Sequence, residues 1–200
     1  MTRRTHHLLS DIEFNCFLIY DWLDDVVDIR EQYPLDRDDT RRIAEAIGVR
    51  HPAETQTQTD IVMSTDLVVD FSTDGTAKTI ARAVKHSQAL EEPRTLEKLE
   101  IERRYWFENG VDFGIITERE LPNEPVKTLR WLLGYRELNE EIPRDILIQI
   151  DQDLDRGSQL TFGEFCEQID LQYGLSSGTG RRISNHFLAK KYGYSTFILS

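Results

Sequence analysis

Apolar residues run nearly all the way round positions 10–23, through Phe14, Cys16, Phe17, Leu18, Ile19, Trp22 and Leu23, which predicts a buried helix. Ser10 stands three residues before Glu13, the spacing of a capping box at a helix start. The period then changes from helical to alternating: Val27, Ile29, Glu31 and Tyr33 interleave with Asp28, Arg30 and Gln32 until Pro34 stops the pattern, as in a strand. Positions 40–48 read as a short helix closed by glycine, and the polar run at 54–60 carries no packing pattern, so it is expected to be a mobile loop. Two β-type runs, 61–71 and 76–85, flank Asp74-Gly75, one of the strongest short hairpin signals, and should pair antiparallel. Positions 95–110 form a charged amphipathic helix with Leu96, Leu99, Arg103 and Trp106 on one side, and 111–117 form a further strand.

This order predicts an α/β domain over residues 1–121 with a mixed sheet flanked by helices. Leu121-Pro122-Asn123-Glu124-Pro125 interrupts both periodicities and reads as a linker. Beyond it, 126–135, 144–154, 162–173 and 180–192 have helical patterns, and 194–199 is β-prone. Residues 126–200 are therefore expected to form a small, mainly helical, winged-helix-like domain.

Composition narrows the function classes. No apolar stretch approaches the ~20 residues of a membrane span and no apolar signal core follows Met1, so a cytoplasmic protein without membrane partners is expected. Cys16 and Cys166 lie far apart on apolar helix faces and read as reduced, structural thiols. The formal net charge of -12 runs against a stand-alone DNA binder, which needs a basic footprint to displace counterions from phosphates. A chain of this charge that works on DNA needs a local basic strip or a partner to hold the duplex.

The hairpin brings candidate chemistry together. A two-residue turn at Asp74-Gly75 makes partners sum to 149, which sets Asp66 opposite Ala83 and Lys85 diagonal to Asp66 on the same face. Such a pair is most simply an ordinary cross-strand ion pair, and Glu13 is equally well explained as part of a cap. Taken together, an acid on one strand, a lysine on the next and a helical glutamate are the groups that a metal-dependent nuclease uses. Carboxylates hold hard Mg²⁺ through oxygen, the metal acidifies a water, and a lysine neutralises the scissile phosphate.

At these residues the chain resembles a known family. HHLLSDIE (6–13), DIREQYPL (28–35), MSTD (63–66) and RTLEKLEIERRYW (94–106) are similar, in one order over roughly residues 3 to 121, to the TnsA endonuclease subunits of Tn-seven-like transposons. The resemblance implies a restriction-endonuclease-like domain followed by a winged-helix-like one. It also implies a Mg²⁺-dependent cut (Mn²⁺ as a substitute) in the 5′ strands at transposon ends, with a TnsB-like transposase and a TnsC-like ATPase as partners. By motif, the family's glutamate falls on Glu13, its aspartate on Asp66 and its lysine on Lys85. The glutamine or acid two residues before that lysine falls on Ala83, which cannot ligate Mg²⁺, although the main-chain carbonyl of Val84 offers an oxygen. Two readings follow: an endonuclease working with a reduced ligand set, or a non-catalytic scaffold between transposase and ATPase. An independent restriction or repair nuclease of the same fold is a third.

Other charged groups have plain alternatives. His6 and His7 are best read as packed or solvated. Arg103 and Arg104 can meet DNA phosphates near a cut, or simply pair with Glu100 along the helix. In the second half acids dominate except from Gly178 onward, where Arg181, Arg182, Lys190 and Lys191 stand without an acid and form the candidate phosphate contact.

Overall fold

The computed structural model describes residues 6–138, 142–155 and 160–190. The chain divides into two compact units, the first ending at Val126 and the second beginning at Lys127.

The first unit opens with helix α1 (Asp11–Trp22), capped by the Ser10 side chain, which accepts from the Glu13 amide. Strand β1 (Val26–Pro34) follows, then α2 (Arg37–Ala46). This second helix starts earlier than its apolar pattern suggests, because the Asp36 carboxylate caps it by accepting from the Asp38 and Asp39 amides. The hairpin is β2 (Ser64–Thr73) and β3 (Thr76–Val84). Asp74 at φ 50° and Gly75 at φ 77° are both left-handed, as a type I′ turn requires, and Thr73 faces Thr76. The expected register therefore holds along the whole ladder to Leu67 opposite Arg82. A short 3₁₀ segment (Ser87–Glu91) leads into α3 (Pro93–Glu108), which returns the chain to β4 (Asp112–Ile116).

The four strands lie in sequence order, β1 to β3 antiparallel and β4 parallel to β3, which gives the mixed α/β sheet with flanking helices. Helix α1 packs against β1, β2 and β3, while α2 packs against α3. One core contains Leu35, Ile43, Met63, Val68, Ala81, Ile101 and Trp106.

Three expectations in this unit change. Residues 61–63 are not in a strand: Ile61 and Val62 are exposed, and β2 begins at Ser64. The polar run at 54–60 is a closed turn. Ala53 bridges Asp60, the Glu54 amide donates to Thr59 and the Thr57 hydroxyl to the Glu54 carboxylate, so its polar side chains satisfy one another instead of packing. The buried stripe of α3 is Leu99, Glu102 and Trp106 with Ile101, whereas Leu96 and Arg103 face solvent.

The segment read as a linker enters helix α4 (Asn123–Leu133) at once. Pro125 is tolerated there because a first-turn residue has no intrahelical use for its amide. In the second unit α5 (Arg144–Asp155), α6 (Phe162–Gln172) and α7 (Thr179–Ala189) enclose Ile150, Leu154, Phe165, Ile169, Ile183 and Phe187. The Asp170 carboxylate accepts from the Gly178 and Gly180 amides at 2.6 Å each, so an internal anion fills the start of α7. The β-prone tail at 194–199 lies outside the described residues.

Candidate active site

Asp66 lies in β2 one residue beyond the last β2–β3 pair, Leu67 with Arg82. Its Oδ2 accepts from the Val84 amide at 2.7 Å and from Lys85 Nζ at 2.7 Å. Cross-strand proximity of Asp66 and Lys85, expected from the turn, is thus direct contact. Val84 enters through its N–H. The Lys85 amide in turn donates to Ile116 of β4 at 3.0 Å, which fixes the lysine's backbone against the parallel strand.

Glu13 is held from its own helix start and from β1. Its Oε2 accepts from the Leu9 amide at 3.0 Å and its Oε1 from the Ser10 hydroxyl at 2.9 Å. The reciprocal half of a capping box is displaced: the carboxylate reaches Leu9 in place of the Ser10 amide. Gln32 joins Glu13 to Asp66, with Nε2 donating to Glu13 Oε2 and Asp66 Oδ1 at 3.3 Å each. Ala83, one residue past the last β2–β3 pair, is paired with Ile115 of β4; its methyl is fully buried and contributes no polar atom.

Asp66 and Lys85 line a recess of about 290 Å³ whose α3 wall is Thr95, Lys98, Leu99 and Glu102. The apolar stripe of α3 thus carries an acid into the site. Glu102 is buried, accepts from Thr65 Oγ1 at 3.1 Å, and Thr65 Oγ1 in turn accepts from Trp106 Nε1 at 2.8 Å. Burial, reinforced by the neighbouring Asp66 charge and opposed by Lys85, pushes the Glu102 carboxyl up to about 8. Near neutral pH it is a protonated acid beside the Asp66–Lys85 salt bridge.

Sequence reasoning missed Glu102, Gln32 and Lys98. Glu102 did leave a signal: it is the one acid in line with Leu99 and Trp106 at helical spacing. Gln32 left none, because its place opposite Asp66 depends on the β1–β2 pairing across a long connection.

The other candidates fall elsewhere. Arg103 and Arg104 are exposed and each pairs with Glu100 at 2.7 Å, so of α3's basic residues it is Lys98 that lines the recess. Arg181, Arg182 and Lys190 are exposed on the second unit, and Lys191 lies outside the described residues. His6 contacts Glu31 at 2.8 Å and stacks near Phe17. Cys16 is buried, its thiol pushed up to about 12 mainly by burial, and both cysteines are free.

Among the described residues no three His, Cys, Asp or Glu side chains gather as a metal cluster. Two carboxylates still fit Mg²⁺, which is commonly held by one or two carboxylates and completed by waters and substrate phosphate. Among the described residues no helix is long and apolar enough to cross a membrane.

Residues 23–118 match the family model described as TnsA-like endonuclease N terminal, a span that contains Gln32, Asp66, Lys85 and Glu102. The chain is 40% identical over 180 residues to the Transposon Tn7 transposition protein TnsA of Escherichia coli, an alignment covering 88% of this chain and 64% of that protein.

Proposed function

The chain is a TnsA-like protein, and from that premise we propose that it is the endonuclease subunit of a transposase. In this reading it hydrolyses the 5′-strand phosphodiester at transposon ends together with a TnsB-like transposase and a TnsC-like ATPase. The observation that carries the reading is the meeting of Asp66, Lys85 and Glu102 in one recess, with Glu13 tied to Asp66 through Gln32.

Glu13, Asp66 and the Val84 carbonyl would hold Mg²⁺, with Mn²⁺ as a substitute. The ion supplies Lewis acidity, an acidified water and charge neutralisation at the phosphate. Lys85 holds the scissile phosphate against Asp66, and Lys98, on the facing wall, takes a neighbouring phosphate. Glu102, neutral near pH 7, would donate a proton to a departing oxygen in this reading. The second unit, read as winged-helix-like, carries Arg181, Arg182, Lys190 and Lys191 as sequence-blind contacts to DNA.

Ala83 favours a second reading, in which the chain couples transposase to ATPase without cutting. A strand-specific nicking assay on transposon-end DNA with both partners and Mg²⁺ decides between them. The endonuclease reading expects 5′ nicks that Asp66→Ala reduces by roughly two to three orders of magnitude. A chain that assembles with its partners and leaves the 5′ strand whole, even as Ala83→Gln, is a scaffold. Efficient cutting by this chain alone would remove the dependence on partners.

A further inference from the structure

We propose that Gln32 is a positioning residue that clamps Glu13 to Asp66 and so presets two carboxylates for one divalent cation. The inference rests on the reading of those two acids as the cation's ligands. Glu31 faces Leu67 and Tyr33 faces Thr65 across the β1–β2 ladder, so Gln32 stands opposite Asp66. At that position its backbone takes φ 46°, a left-handed conformation that a side-chain-bearing residue in a strand rarely adopts. A backbone outlier of this kind persists where its surroundings hold it, and such outliers concentrate at functional sites.

The side chain explains what is held. Ser64 Oγ donates to Gln32 Oε1 at 3.0 Å, which turns the amide nitrogen toward the carboxylates. The nitrogen has two hydrogens and two acceptors, Glu13 Oε2 and Asp66 Oδ1. Two acids that would repel one another are thereby bridged by a neutral donor from a third strand position, and Ala83, a buried methyl, contributes nothing to that task. A group that orients metal-ligating carboxylates through hydrogen bonds affects affinity strongly without touching the ion.

Glycine separates this role from a merely structural one, because it adopts positive φ without steric cost. In the full-length chain, Gln32→Gly is expected to keep or raise the melting temperature while weakening Mn²⁺ binding by about tenfold, followed by electron paramagnetic resonance of free Mn²⁺ without DNA. Gln32→Ala should weaken Mn²⁺ equally and also lower the melting temperature, and Ser64→Ala should weaken Mn²⁺ to a lesser degree. Unchanged or tighter Mn²⁺ binding in Gln32→Gly overturns the clamp, as does a loss of affinity that merely follows a loss of fold. The wild-type titration tests the underlying reading separately. If wild type takes up no Mn²⁺, or Asp66→Ala takes up as much as wild type, the carboxylate pair is not a cation site and the clamp has no object.

Discussion

Glu102 shows how one side chain couples the site to the stability of the whole unit. Its ordinary value is 4.5 and burial lifts it to about 8, so between those two pH values the folded chain keeps a proton that the unfolded chain has released. Its contribution to stability is complete below about 4.5 and is lost as pH rises through 8. Glu102→Gln should therefore flatten the fall of the melting temperature between pH 5 and pH 8.5, a difference of several degrees at the alkaline end by calorimetry. Lys98→Ala should weaken DNA binding by the assembled complex a few-fold and lower the salt slope by about 1. Of the site's residues, Asp66 and Lys85 were legible because a two-residue turn fixes their register, and Glu13 because a helix start announces itself. Gln32 was hidden because nothing local in DIREQYP shows that its backbone departs from the strand.

At the scale of elements, the strands and helices of the first unit follow from periodicity, and departures have local causes. Asp36 extends α2, internal hydrogen bonds close the turn at 54–60, and Glu102 replaces Arg103 on the inner face of α3. The α6–α7 contact is tighter than any pattern reveals. A Cβ on Gly180 would lie 2.5 Å from the Cys166 carbonyl oxygen and 2.9 Å from Ile169 Cγ2, so at this glycine the two helices meet backbone to backbone. Gly180→Ala is expected to cost about 1 to 3 kcal/mol in chemical denaturation by forcing them apart. Asp170 already supplies an anion to the Gly178 and Gly180 amides at the start of α7, so any phosphate contact proposed for Arg181 and Arg182 would rest on their side-chain charge rather than on those two amides.

For the molecule as a whole, a net charge of -12 sets the terms on which it meets DNA. The chain alone should show weak, strongly salt-sensitive retention of duplex DNA in a gel shift, and addition of the transposase and ATPase proposed as its partners should restore binding at physiological salt. Tight binding by the isolated chain at that salt would show a basic surface that its composition does not suggest. The hydrogen-bond chain from Trp106 Nε1 through Thr65 to Glu102 has an optical consequence. An indole whose N–H bond leads to a titrating carboxyl changes its emission when that carboxyl ionises, so Trp106 is a built-in reporter of the recess. With Trp22 and Trp131 replaced by phenylalanine, the remaining fluorescence should titrate near pH 8. Anything that shifts that midpoint, whether a cation, a phosphate or a substitution at Lys85, could then be followed by light, without substrate turnover.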